Sequence, residues 1–375
     1  MLKLDNIIIE IANKDISKMI TGVTIYESVW GMLKGAIAIT DGINFFDNFI
    51  GTSLSDVQFT FQYLEKSPIS CSFYMDGISD MQIEKQQKKY IIHIQSTYVS
   101  SHAIAINSTF SGRSDEIIKD IFTEINPNSA LIYIDSQTDT KGKYIAPNIS
   151  ARDCLASLVN NAYDVKQTGM FLYQRFFDNN AIRLTSLDYM LNNSFLNENK
   201  TKAYIKKSIL SHHELSGLAT LGTSDSFKLK EYNMDFIQKV EDGVWGKAVS
   251  EMNLDETTKK DNLTKEATSI HKQNFKLSDK LYSDNIKSVF STRGTSIASK
   301  IINHKIRTFN TVLEVTDMVA LPNVGVGMSI SVMLGKGNKS ESRQDGKYLV
   351  SYIQHKFSVD AGNFIYSQDV GLVRE

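Results

Sequence analysis

Over the first hundred residues the apolar side chains tend to fall at every second position. In "VQFTFQYL" Val57, Phe59 and Phe61 alternate with Gln58, Thr60 and Gln62, the period of a strand with one face in a core. "ITGVTIYESVW", "KGAIAIT", "ISCSFYM" and "KYIIHIQSTYV" add β-branched and aromatic residues, which suit a half-buried pleated surface. Turns are read at "TDGIN" and "MDGIS". The segment therefore predicts short antiparallel strands in a sandwich or barrel.

The period changes near residue 112. In "RSDEIIKDIFTEIN" Ser114 stands as an N-cap with Asp115 and Glu116 in the first turn, and Ile117, Ile118, Ile121, Phe122 and Ile125 recur at helical spacing. "SARDCLASLVNNAY" repeats the design, with Ser150 and Asp153 as a capping pair and Cys154, Leu155, Leu158, Val159 and Ala162 as the apolar stripe. "MFLYQRFF" and "AIRLTSLDYM", joined at Asp178-Asn179-Asn180, predict a strand hairpin. Residues 241–280 are nearly all polar with mixed charge, which predicts an exposed insertion or mobile loop. A short helix is expected in "TSIASKIINHKI", after which "RTFNTVLEV", "MSISVML", "KYLVSYIQHKFSV" and "NFIYSQDVGLV" return to strands.

Sliding the chain along itself by 276 residues lays "LKGAIAITDGINFFDNFIGTSLS" (33–55) over "FNTVLEVTDMVALPNVGVGMSIS" (309–331) without a gap. Thr40, Asp41, Gly51, Ser53 and Ser55 meet identical partners at Thr316, Asp317, Gly327, Ser329 and Ser331. A second echo follows, "KKYIIHIQSTY" (88–98) with "GKYLVSYIQHKF" (346–357). Two echoes in the same order point to a duplication. Each copy reads as strand, loop, glycine, strand, so Gly51 and Gly327 are expected at structural barrel corners where a β-carbon would hinder the turn. Gly325 has Phe49 as its counterpart and is not part of the shared design.

The expected fold class is β-rich α+β: two similar antiparallel β-barrels with a mixed α/β domain and a polar insertion between them. Residues 1–107 form the first barrel and 108–200 the mixed domain. Residues 201–240 and 305–375 form the second barrel, with 241–304 as the insertion.

At 375 residues, 42% hydrophobic and 22% charged, the chain has the composition of a globular protein of more than one domain. Its 41 Lys plus Arg nearly balance 42 Asp plus Glu, so no global field draws in nucleic acid or an anionic membrane. Cys71 and Cys154 are too few for a disulfide framework and wrongly spaced for zinc. Asp5 and Glu10 interrupt the apolar start of the chain, which argues against a signal peptide. No stretch approaches the length of a membrane helix.

No motif supplies catalytic, cofactor-binding or metal-binding residues. Gly325-x-Gly327 and "GKGNKS" miss the phosphate-loop spacing: Ile330 stands where a first glycine is needed, and Gly337 follows Lys336 where the signature has a hydroxyl residue. Ile330 also occupies the third glycine position of a dinucleotide fingerprint, ahead of a strand where a helix should begin. His212 and His213 precede Glu214, but adjacent strand residues face opposite ways; surface or turn positions are expected for the histidines.

The repeat and the order of segments resemble the central baseplate hub family of contractile-tailed bacteriophages, which is related to the hub portion of type VI secretion spike proteins. The most specific stretch runs from "TSIASKIINHKIRTFNTVLEVTDMVALPNVGVGMSISVML" to "DGKYLVSYIQHKFSVDAGNFIYSQDV", with "ITGVTIYESVWGMLKGAIAIT" similar to the opening hairpin of the first barrel. The resemblance implies a non-enzymatic homotrimer without cofactors that joins a hexameric tail tube protein to a trimeric central spike protein. It would be assembled in the host cytoplasm and end in the virion tail baseplate, beside other baseplate proteins. DNA would pass only in transit through the lumen, with no stable membrane binding. No spike segment is attached here, so the spike would be a separate chain. Two alternatives stay open: a tail-associated cell-wall hydrolase using carboxylates of the 108–200 domain, and a carbohydrate-binding receptor module suggested by "NFFDNF" and 16 tyrosines.

Overall fold

The computed structural model describes residues 2–3, 6–49, 56–62, 68–84, 87–98, 104–125, 132–139, 141–166, 168–178, 181–192, 311–320, 324–333, 345–360 and 363–374. Between 193 and 310 it describes only the strands named below. Gly51, the helix expected near 295, the "GKGNKS" run and His102, His212, His213, His271 and His304 lie outside the described residues.

The N-terminal part runs β1 (Leu2–Lys3), β2 (Asn6–Ile11), β3 (Lys14–Asp15), β4 (Ile20–Ser28), β5 (Lys34–Asp41), helix α1 (Phe45–Phe49), β6 (Asp56–Gln62), β7 (Ile69–Glu84) and β8 (Gln87–Ser96). The alternation read from sequence appears directly as burial. Val57, Phe59 and Phe61 of β6 point inward, as do Ile37 and Ile39 of β5. "MDGIS" is not a turn: β7 runs through it, with register shifts at Met75/Gly77 and Ser79/Gln82. A bulge absorbs the extra residue and bends the strand without ending it.

The middle of the chain holds β9 (Ala105–Arg113), α2 (Ser114–Ile125), β10 (Ile132–Ile134), β11 (Lys141–Ser150), α3 (Ala151–Asn161), β12 (Met170–Gln174), β13 (Ile182–Ser186) and α4 (Leu187–Asn192). The apolar stripe of α2 is buried as expected. The Ser150 hydroxyl caps α3, accepting from the Asp153 amide at 3.1 Å and donating to its carboxylate at 2.7 Å. β12 and β13 form the expected hairpin, but "LDYM" leaves the strand as α4.

Then come β14 (Ala203–Lys207), β15 (Ala219–Ser224), β16 (Ser226–Glu231), β17 (Ala248–Met252), β18 (Lys259–Leu263), β19 (Val289–Ser291), β20 (Thr311–Ala320), β21 (Ser329–Met333), β22 (Gly346–Asp360) and β23 (Asn363–Arg374). Within the polar insertion, where a loop was expected, the backbone of β17 and β18 pairs antiparallel, and β19 joins them. Backbone pairing needs no apolar period, so hydropathy alone does not reveal such a sheet.

The duplication is visible in the order of strands. β5, β6, β7 and β8 lie in space as β5-β8-β7-β6, and β20 to β23 lie as β20-β23-β22-β21, all antiparallel. The 33–55 and 309–331 echo thus lays β5 over β20, which hold equivalent places, while residues 50–55 of the first copy lie outside the described residues. The second echo does not fall on equivalent strands: it matches β8 to β22, whereas β8 occupies the place of β23. Strand alternation accounts for that similarity.

In the second barrel β15 joins β20 to β14, and β14 joins β21, so the ring of pairings closes. β14 runs parallel to both neighbours, a departure from the purely antiparallel expectation and one that a tight hairpin cannot produce. The first barrel shares strands with this ring. β1 pairs with β23, β23 with β22 and β22 with β4, while β2 pairs with β6. The hairpin β22–β23 therefore belongs to both barrels. Phe357 and Tyr366, from its outer part, pack in the first core beside Phe59 and Phe73. Leu349, Val350, Leu372 and Val373, from its inner part, pack in the second.

The neighbour of β22 changes from β21 to β4 at a bulge between Val350 and Tyr352. The Ser351 hydroxyl donates to the Gly371 carbonyl at 3.0 Å, and the Ser351 carbonyl accepts from the Val29 amide at 3.0 Å. The Tyr352 ring lies against the Gly371 α-carbon, where a β-carbon would overlap it, and its hydroxyl reaches Glu314 at 2.7 Å. Gly371→Ala is expected to destabilise the protein by about 1–3 kcal/mol through this overlap. In a Tyr352→Ala background the same change should cost much less, measured as a coupling energy by denaturant unfolding; additive costs would place the strain elsewhere.

Candidate functional site at the junction of the barrels

Two polar residues sit in register with apolar ones and are carried into the core. Glu27 follows Val23 and Ile25 on the inward face of β4, and His355 lies between Ile353 and Phe357 on that of β22. Both are fully buried. Their alternation was a legible signal, although surface positions were expected for the histidines. His93 does lie at a solvent-facing position, 2.8 Å from the Ser79 hydroxyl.

Glu27 gathers donors from three parts of the chain. One carboxylate oxygen accepts from the Val326 amide at 2.8 Å. The other is 3.2 Å from the Phe176 amide and 2.9 Å from His355 Nε2. The second ring nitrogen of His355 lies 2.8 Å from the Tyr366 hydroxyl, which accepts from the Gln368 amide. A buried carboxylate without donors would be very costly, and here three N–H groups meet it. Beside it, burial pushes the Cys71 thiol far above its ordinary range, with the Glu27 charge adding to the effect. That places Cys71 as a packed apolar group rather than a nucleophile.

Val326 belongs to the stretch that carries Gly325 and Gly327. Gly327 has φ +74°, and a β-carbon there would overlap the Tyr173 hydroxyl. Its amide donates to the Val350 carbonyl at 2.9 Å, leading into the β21–β22 pairing. Gly325 lies against the Arg175 side chain, whose Nε donates to the Val326 carbonyl at 2.9 Å. The two glycines thus let mixed-domain side chains press on this loop.

The repeat does not preserve side-chain roles around the corner. Asp41 is buried and accepts from the amides of Ile43, Phe45 and Phe46 at 2.9–3.0 Å. Burial opposes its ionisation, yet these three donors, with Lys88 nearby, hold its carboxyl below the usual range. Asp317, its counterpart, is exposed, has φ +48° and pairs with Lys356 at 3.2 Å. It sits in the bulge between Val315 and Met318, where its amide donates to Asp369.

Among the described residues no group of three or more His, Cys, Asp or Glu side chains is arranged to hold a metal ion, and no helix is long and apolar enough to cross a membrane. What the junction can do is mechanical: it fixes both barrels and the mixed domain at one buried point.

No protein-family model and no curated protein sequence matches the chain. Solved structures do. The 43 kDa tail protein of prophage MuSo2 from Shewanella oneidensis aligns with a TM-score of 0.61 at 10% identity, over 98% of each chain. A tail protein from Neisseria meningitidis aligns at 0.60 and 9%, over 100% of this chain and 97% of that one. The fold is that of phage tail proteins. The same fold extends to an E. coli component of the type VI secretion system, described as similar to bacteriophage T4 tail proteins, at a TM-score of 0.52 and 8% identity over 100% and 77% of the two chains. At these identities the likeness lies in backbone topology.

Glu27→Gln should cost about 3–5 kcal/mol, because an amide has one acceptor oxygen for three donors and leaves part of the site unpaired. Thermal unfolding with both core regions monitored checks this; a loss below about 1 kcal/mol would mean the carboxylate contributes little.

Proposed function

We propose that the chain is a structural baseplate hub of a phage-type contractile tail. Three copies form a ring in which each contributes two barrels, so a threefold object presents six similar units. One face receives a hexameric tail tube and the other a trimeric central spike. Other baseplate proteins pack around the ring, which is assembled in the host cytoplasm and becomes part of the virion tail. DNA passes through the lumen during ejection, and the near-balance of 41 basic and 42 acidic residues suits a conduit that does not hold phosphate strongly. The role is non-enzymatic, and Gly327, with Gly51 as its counterpart, serves as a barrel corner.

The observation that carries this reading is the matching strand order β5-β8-β7-β6 and β20-β23-β22-β21 within one chain of tail-protein fold. Duplicated barrels are what a symmetry adaptor requires. Strand edges left by each copy would pair with the next around the ring, covering backbone that otherwise invites aggregation.

Light scattering on the purified chain, alone and with a spike protein encoded beside it, should give three chain masses, and the trimer should bind both spike and tube proteins. A monomer under both conditions would contradict the proposal.

A further inference from the structure

A groove that shares no lining residue with the Glu27–His355 pair opens on the surface between the β4–β5 turn, helix α3 and strand β12, with a volume of about 500 Å³. Its walls are apolar: Trp30 and Phe171 on one side, with ring centroids 5.4 Å apart, and Leu155 and Val159 of α3 on the other. Trp30 is 61% exposed, unusual for so large an apolar side chain. Lys34 and Arg152 line the mouth, no acidic side chain does, and among the described residues neither cation is in an ion pair. Asp153, next to Arg152, is engaged by the Ser150 cap.

The turn that presents Trp30 is held in place. The Leu33 amide donates to the buried side-chain oxygen of Gln174 at 3.2 Å, the Leu33 carbonyl accepts from Ser96 at 2.9 Å, and Val29 is fastened to Ser351. The groove is thus preformed, and an occupant would not bear the cost of ordering it.

We propose that this groove binds an acidic peptide segment of a partner protein, an aromatic or aliphatic anchor seated on Trp30 and Phe171 with flanking carboxylates on Lys34 and Arg152. The volume suits a few side chains. An apolar floor asks for the anchor, and two cations that have no ion-pair partner among the described residues ask for negative charge. A sugar could also stack on Trp30 and bond to Gln95 and Asn160 in the lining, but it would leave Lys34 and Arg152 without a counter-charge. The proposal is independent of the ring: it concerns one surface of a single chain.

Trp30 and Trp245 are the only tryptophans, so in a Trp245→Phe background fluorescence reports on Trp30. Titration of the full chain with a capped Asp-Phe-Leu-Asp tetrapeptide should give a saturable Trp30 shift that weakens with added salt. Arg152→Glu and Lys34→Glu, both at exposed positions, should each weaken it about tenfold or more with unchanged melting temperature. A capped Lys-Phe-Leu-Lys peptide should not bind. Equal binding of the lysine peptide, unchanged affinity in the charge-reversed variants, or absence of saturation would overturn the proposal. So would a saturable response to a chitin oligosaccharide in place of the acidic peptide.

Discussion

The carboxylate of Glu27 is the point on which the other contacts converge. It lies on a strand of the first barrel, accepts from an amide of the second barrel's loop and one of the mixed domain, and meets His355 on the hairpin common to both barrels. Placing a charge there is tolerable only because every one of those segments delivers an N–H to it. Conversely, each segment's position is constrained by the need to reach the same two oxygens. Apolar packing alone would hold these parts together with less exact register.

The hairpin gives that constraint its reach. Fifteen residues of β22 span about 50 Å when extended, long enough to line two barrels in succession. The cost of sharing is local and confined to the crossing, where Ser351 is bulged out and Gly371 yields its side chain's place to Tyr352. A duplicated chain of this kind need not carry two autonomous domains. The first barrel lacks a complete wall without strands that also serve the second. The groove beside Trp30 depends on the same arrangement, because Val29 is bonded to the bulge at Ser351.

Much of this was legible in the chain. Period-two burial in β4, β5 and β6, the buried stripe of α2 and the Ser150 cap of α3 follow from local physics, and the structure keeps them; Ser114, expected as a cap, lies inside α2 as its first residue. The echo between 33–55 and 309–331 identified equivalent strands, while the echo between 88–98 and 346–357 did not, because alternating strands resemble one another wherever they stand. Glu27 and His355 were visible as polar residues in apolar register, but their meeting across 328 positions is a tertiary fact with no local trace. The bulge at "MDGIS" was missed for a related reason: Asp-Gly favours a turn locally, and only the neighbouring strands decide that β7 continues.

The central claim is that the shared hairpin makes the two barrels one cooperative unit. Native-state hydrogen exchange across a denaturant series tests it most directly, by comparing β5 of the first barrel with β20 of the second. The account predicts that the slowest amides of both strands lose protection together, with the same opening free energy and the same denaturant dependence. Loss of protection in one strand while the other remains protected at its full free energy would contradict it.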